Sequence, residues 1–182
     1  MAEFMETPNG TVTLREARGE DLDAFRDLRL EALRDYPGMF GSDYAVNKAQ
    51  PTEFWINRLF LHNSEGKVYL AEFEGALIAM CGIMLGATPK VRHNGTIWGV
   101  YVKPDWQGLH LARKLIDLCA EWGLANGVKL LKLAVVAENE SAIRCYKDCG
   151  FTVYGTDPQA ICHEGVMHDE LLMVRQISPL LQ

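Results

Sequence analysis

Residues 100–112, Val-Tyr-Val-Lys-Pro-Asp-Trp-Gln-Gly-Leu-His-Leu-Ala, run from the end of an apolar strand through a turn into a long helical pattern. A junction of this kind can bind an anion. The first N–H groups of a helix have no intrahelical partner, and the macrodipole places partial positive charge there. Gly108 lets a phosphate approach the backbone closely, and Arg113 and Lys114, one turn into the helix, can add charge-assisted contacts. By itself the pattern also fits an ordinary turn before a long helix.

Other chemistries find less support. The five cysteines, Cys81, Cys119, Cys145, Cys149 and Cys162, are odd in number and include no C-x-x-C pair. Cys145 and Cys149, four apart, would put two ligands on one helix face, but no second Cys or His pair completes a zinc site, so reduced, buried thiols and no metal are expected. Eighteen Lys and Arg against 24 Asp and Glu leave a formal charge of -6 with no dense basic run, which argues against a dedicated nucleic-acid binder. The opening MAEFMETPNG has two acids, no base and no apolar core, unlike a secretory signal. The longest nearly unbroken apolar stretch, residues 77–87, falls short of the roughly 20 residues that cross a bilayer. A cytoplasmic protein with neither nucleic acid nor membrane as partner is expected.

The elements that would position the turn follow from periodicity. At 182 residues, 48% hydrophobic and 23% charged, the chain has the proportions of an ordinary globule. The expected organisation is a loose N-terminus over 1–10, a single domain over 11–177 and a tail over 178–182. Residues 12–18 alternate as a half-buried strand does. A helix follows, with Leu22, Phe25, Leu28, Ala32, Leu33 and Tyr36 spaced by three and four and Pro37-Gly38 ending it. Residues 39–50 read as a loop. Pro51-Thr52 opens a second helix with Thr52 as cap. Residues 67–74 and 76–85 form a hairpin about Glu74-Gly75 in the middle of an antiparallel sheet, and residues 88–94 a loop. Residues 96–102 are the next strand, with Gly99 inside it marking a bulge or a close backbone approach. The longest helix spans 108–126, a buried strand 130–136 and a short helix 141–149, closed by Gly150. Strands at 151–155 and 165–174 flank an excursion over 156–164. Together these give an α/β (α+β) fold with a mixed, mostly antiparallel sheet of about seven strands flanked by helices.

Two patterns in this frame, V-x-P-x-x-Q-G-x-x-x-A from Val102 and N-x-x-A-x-x-x-Y-x-x-x-G-F from Asn139, resemble the GNAT superfamily of acetyl-CoA-dependent N-acetyltransferases. The resemblance is closest over residues 98–151, and the second pattern is the more specific. It implies a GNAT-like acyl-CoA N-acyltransferase fold, with the strand at 97–102 splayed from its neighbour so that Val100, Tyr101 and Val102 bind the acetyl carbonyl and pantetheine through their main chain. Gln107, Gly108, Leu109, His110, Leu111, Ala112 and Arg113 would surround the pyrophosphate. Asn139 would bond to a pantetheine amide, or be a helix cap alone. Ala142 would leave room for the CoA arm. Tyr146 would be the general acid toward the leaving thiolate, or a core aromatic. Cys145, beside it, is expected to point elsewhere on the helix. At His110 the family usually has glycine; a β-carbon there could crowd the pyrophosphate, but the backbone N–H remains, the imidazole could itself donate to a phosphate, and binding is expected to survive because Gly108 and Ala112 are retained.

The resemblance implies an N-acetyltransferase moving the acetyl group of acetyl-CoA to a primary amine within a ternary complex, without a metal. The alternative is a non-catalytic acyl-CoA-binding module. Candidates for the base are Glu72, His93, Glu164, His168, Asp169 and Glu170. The acceptor, a small-molecule or peptide amine, is expected between the first helix pair and the loops 37–50 and 156–164, among Tyr36, Phe40, Asp43, Tyr44 and Trp55, aromatic and acidic groups that would suit a cationic amine. Dimers are common in the family, and the sequence does not fix one here.

Overall fold

The computed structural model describes residues 2–178. In chain order the elements are strands β1 (Ala2–Thr7) and β2 (Gly10–Glu16), helices α1 (Leu22–Asp35), α2 (Tyr44–Lys48) and α3 (Thr52–Arg58), and strands β3 (Gly66–Phe73), β4 (Ala76–Leu85) and β5 (Asn94–Val102). Helix α4 (Leu111–Ala125), strand β6 (Leu130–Val136), helix α5 (Glu140–Asp148) and strands β7 (Thr152–His163) and β8 (Val166–Gln176) complete them. All strands join one eight-stranded sheet of order β1-β2-β3-β4-β5-β6-β8-β7. Only β5 and β6 pair in parallel, so the sheet is mixed and mostly antiparallel, with the β3–β4 hairpin near its middle.

The eighth strand is β1. Residues 2–7, expected to be loose, pair with β2 from Ala2↔Arg15 to Thr7↔Gly10 about a Pro8-Asn9 turn in which Thr7 Oγ1 donates to Gly10 O at 2.7 Å. An edge strand that leaves Phe4 73% exposed has no clean apolar alternation to betray it. The excursion expected over 156–164 is likewise strand. β7 runs on to His163 with register shifts at Val153/Gly155 and Asp157/Ile161, and is mostly exposed. Glu164-Gly165 closes this hairpin as Glu74-Gly75 closes β3–β4, both residues of each pair having positive φ as a two-residue turn of type I′ requires. Of the expected tail, Ser178 is described and residues 179–182 lie outside the described residues.

Smaller differences trace to caps. Pro51, not Thr52, takes the N-cap position of α3 and offers no side-chain bond. Within the expected loop 39–50, Asp43 caps α2 by accepting from Val46 N at 2.8 Å. Helix α4 begins at Leu111 rather than Gly108, because residues 104–106 form a separate 3-10 turn and His110 is left-handed. Asn139 caps α5, which therefore starts at Glu140.

The sheet divides two apolar layers. Phe25, Leu28 and Ala32 of α1 and Trp55 of α3 pack against Leu70, Met80 and Tyr101 on one face. Leu111, Leu115, Ile116 and Cys119 of α4 and Tyr146 of α5 pack against Ala71, Cys81, Ile83 and Leu131 on the other. The alternation Leu70/Ala71 and Met80/Cys81 is the two-residue period of strands buried on both faces. Each fully buried large apolar side chain contributes about 1.5–3 kcal/mol. Buried Asp21 ties β2 to the start of α1, its carboxylate accepting from both Arg15 Nη1 and Nη2 at 2.7 Å and from Arg18 N at 2.7 Å. These layers fix the C-terminal end of β5 between α1 on one side and α4 and α5 on the other.

Candidate active site

Strand β5 parts from both neighbours where the chemistry was expected. Against β4, Met80 faces Tyr101 while Gly82 faces Trp98, so Cys81 alone opposes Gly99 and Val100. That is a β-bulge, and Gly99 adopts φ +64°, the left-handed conformation such a bulge takes on glycine. Against β6, pairing stops at Thr96↔Lys132, whereas β6 continues to pair with β8 as far as Val136↔Glu170. From Ile97 onward the edge of β5 is therefore open toward β6. A cavity of about 810 Å³ occupies this opening.

Every binding residue expected from the sequence except Leu109 contributes to its wall: Val100, Tyr101 and Val102 from β5, Gln107, Gly108, His110, Leu111, Ala112 and Arg113 from the turn, and Asn139, Ala142 and Tyr146 from α5. Leu109 packs instead on the core beneath α4. Lys114 turns away into a second cleft with Glu3 and Arg175.

The turn presents donors. Gln107 Nε2 donates to Val102 O at 3.1 Å and anchors the turn to the end of β5. Gly108 has φ +78°, and a Cβ built there would meet nothing within 4 Å. His110 has φ +62° and ψ 14°. The first residue to reach back is Lys114, whose N–H donates to His110 O at 3.1 Å, so the N–H groups just ahead of it are the unpartnered donors of a helix start. Glycine suits this position because the backbone is left-handed, and the cost of histidine is conformational strain; histidine is among the residues enriched in that region.

On the facing wall, Asn139 Oδ1 accepts from Ala142 N at 3.1 Å, which commits the oxygen to the cap and leaves Nδ2 without a partner among the described residues. Tyr146, four residues after Ala142 and on the same helix face, is 9% exposed, and its ring meets Phe151 edge-on with centroids 6.1 Å apart. Its hydroxyl makes no hydrogen bond within the described residues. Burial, with lesser contributions from Cys81, Cys145 and Cys149, pushes the phenol well above its ordinary range and keeps it protonated. Cys145, expected to point elsewhere, also contributes to the wall. A bond with Cys149 pulls the Cys145 thiol down, against burial, and pushes Cys149 up. No group of three or more His, Cys, Asp or Glu suited to a metal occurs among the described residues.

The acceptor side is arranged differently from expectation. Tyr36, Met39 and Phe40 line the cavity, with Tyr36 against Tyr101 at 6.0 Å between centroids. Trp55 is 1% exposed in the core, Asp43 is spent on its cap, Tyr44 lies under Lys48, and residues 156–164 do not reach the wall. Among the base candidates, Glu72 is held by Arg15 at 2.6 Å, Asp169 by Gln159 N at 2.8 Å, His93 lies beside the opposite end of β5, and Glu164 sits in the β7–β8 turn. Burial, then Asp157, raises the Glu170 carboxyl. Only His168 is joined to the wall, its Nδ1 3.6 Å from Oε2 of Glu138. Sequence reasoning passed over Glu138 and Arg144, both on the wall, and Arg29 behind it. Arg29 carried a signal, being a charge on the apolar stripe of α1.

Comparison with known proteins bears on this arrangement. The profile of the acetyltransferase (GNAT) family matches residues 24–151. An uncharacterized N-acetyltransferase of Methanocaldococcus jannaschii is 27% identical over 143 residues, which cover 78% of this chain and 61% of the relative, so the chain spans less than two thirds of that protein. The L-amino acid N-acetyltransferase AaaT of Escherichia coli is 24% identical over 169 residues, covering 90% of this chain and 97% of the relative. Among solved structures, one described as an acetyltransferase of Salmonella typhimurium with its cofactor acetyl-CoA superposes with a TM-score of 0.80 at 22% identity, over 94% of this chain and 96% of that one. No helix among the described residues is long and apolar enough to cross a membrane.

Proposed function

The chain belongs to the GNAT acetyltransferase family, and from that premise we propose that it moves the acetyl group of acetyl-CoA to a primary amine by direct attack within a ternary complex. One observation carries the reading: a buried, protonated and unbonded Tyr146 hydroxyl shares a cavity with the open edge of β5 and the free N–H groups ahead of α4. The residues present fit the cosubstrate. The turn has a glycine with no Cβ obstruction and unpartnered donors for the pyrophosphate, and the gap between β5 and β6 offers backbone groups of residues 100–102 to a pantetheine chain.

When bound, acetyl-CoA supplies a thioester carbonyl whose C–S bond breaks as the amine nitrogen bonds to carbon. The N–H groups along residues 100–102 hold the carbonyl oxygen and stabilise the charge that builds on it. Tyr146 gives its proton to the departing sulfur; burial keeps the phenol protonated up to that point, and the charge building on sulfur beside the hydroxyl draws the proton across. The amine loses its proton toward Glu138, backed by His168. Asn139 Nδ2 donates to a pantetheine carbonyl, and Ala142 clears the arm.

The test is calorimetric titration of the purified protein with acetyl-CoA and CoA, followed by thiol release across a panel of amines. Binding with release toward an amine is expected. Binding without release would favour the non-catalytic acyl-CoA module, and no binding would overturn the reading.

A further inference from the structure

Arg29 lies four residues after Phe25 and four before Leu33 on the buried stripe of α1, and it is 4% exposed. Its guanidinium makes no hydrogen bond and no ion pair among the described residues, and Nη1 is sealed from solvent with no partner. The carboxylates of the same helix are engaged elsewhere: Asp23 and Asp27 by Arg26, Glu31 by Tyr101 Oη and Lys103, and Asp35 by Arg34. A second guanidinium, that of Arg58, lies 4.3 Å over the Trp98 ring, and it too has neither hydrogen bond nor ion pair among the described residues. Burial, and after it the charge of Arg58, lowers the pKa of Arg29 to about 10, so the group is still a cation at neutral pH.

The position of these cations relates them to the acetyl site. The Phe40 ring covers Arg29 at 4.7 Å and also lines the cavity. On β5, a Cβ built at Gly99 would have Arg29 Nη1, at 3.8 Å, as its one non-adjacent neighbour within 4 Å. Gly99 is the residue before Val100, whose main chain faces the reacting carbonyl in the function proposed above. An uncompensated buried cation is among the costliest features a core can hold, and a chain that keeps Arg29 beside this bulge, with the half-buried Arg58 near it and neither paired with a carboxylate among the described residues, is arranged for an anion from outside.

The geometry points to Arg29, flanked by Arg58, as the subsite for the carboxylate of the acceptor, an amine whose carboxylate stands close to the nitrogen that is acetylated. The inference rests on the acetyl-transfer reading and names its substrate class. A planar guanidinium stacked on a ring keeps its in-plane N–H edge for a bidentate, planar oxyanion, which a carboxylate matches. Rotation of the half-exposed Phe40 ring opens the way from the cavity, a side-chain change of the kind common on binding. Asp43 and Glu31 are already committed, whereas Arg29 has no carboxylate partner among the described residues.

The test compares thiol release from acetyl-CoA with L-amino acids, their carboxamides, and phosphoethanolamine, on the full chain and on Arg29→Met and Arg58→Met. In the unaltered protein kcat/KM for the free acid should exceed that for its carboxamide by about 10- to 100-fold, the worth of a charge-assisted bond. Arg29→Met should collapse that ratio toward one, and Arg58→Met should reduce it less. Arg29→Met should unfold at or above the temperature of the unaltered protein, because methionine removes an unpaired buried charge. As a readout independent of turnover, N-acetyl-L-amino acids should raise the unfolding temperature of the unaltered protein and not of Arg29→Met. Equal ratios in both proteins, a preference for carboxamides or for phosphoethanolamine, or an identical thermal response would overturn the subsite. Loss of acetyl-CoA binding and of release toward every amine would instead overturn the acetyl-transfer reading, and the thermal comparison would still decide the anion subsite.

Discussion

Replacing Tyr146 by phenylalanine removes one oxygen from the cavity wall and leaves the ring that packs on Phe151 in place. Because that hydroxyl has no partner among the described residues, its loss leaves no donor or acceptor stranded there, and unfolding free energy should change by less than about 0.5 kcal/mol. The cradle ahead of α4 and the open edge of β5 are untouched, so the acetyl-CoA dissociation constant should stay within about threefold, or about 0.7 kcal/mol. What goes is the proton donor. General acid catalysis contributes roughly 10²- to 10⁴-fold, so kcat should fall by that factor, an increase of about 3–5 kcal/mol in the barrier. Steady-state thiol release at saturating acetyl-CoA, with calorimetric binding on the same sample, separates the two quantities. A variant that turns over within about threefold of the unaltered protein would refute the acid role, as would a loss of kcat that merely tracks a loss of binding.

His110→Gly should relieve a left-handed residue worth about 1–2 kcal/mol and give back about 0.4–1 kcal/mol through greater freedom of the unfolded chain, a net stabilisation near 0.5–1 kcal/mol. Thermal unfolding should shift up by about 1–4 °C at this chain length, and His110→Ala, with a β-carbon and no such relief, should not gain. A lower unfolding temperature for His110→Gly than for His110→Ala would contradict the conformational account. The pH dependence of stability follows from tyrosines whose folded pKa is raised, by burial at Tyr146 and by burial and then Glu31 at Tyr101. A raised folded pKa means that the stability is fully present below the unfolded value of about 10 and is withdrawn above it, at about 1.4 kcal/mol per pH unit for each group. Unfolding temperatures at pH 8 and pH 11 should show this loss, with Tyr146→Phe losing less than the unaltered protein. An equal loss in both would mean that Tyr146 titrates normally.

The order of elements was largely legible because periodicity and turn residues are local signals. The stripe Phe25, Leu28, Ala32 and Leu33, the Glu74-Gly75 turn, the Gly99 bulge and the apolar run of β4 each announce themselves in a few residues of chain. Gly108, Asn139 and Tyr146 were singled out through the resemblance of their two motifs to the GNAT superfamily, and the structure brings all three to one cavity wall. The edges were not legible. β1 and β7 gain their conformation from hydrogen bonds to β2 and β8 rather than from burial, so Phe4 and residues 156–163 carry no hydrophobic pattern.

By itself, then, the sequence determined the elements that a local period or a turn residue announces, such as α1, β4 and the Glu74-Gly75 turn, while the edge strands β1 and β7 and the wall residues Glu138 and Arg144 escaped it. Only the tertiary structure decided that β5 leaves β6 after Thr96, that His110 must be left-handed and that Arg29 is walled in without a carboxylate. Each of these depends on register and on how α1 and α4 sit against opposite faces of the sheet, and such long-range packing sets which buried charge finds a partner and which is left for a ligand.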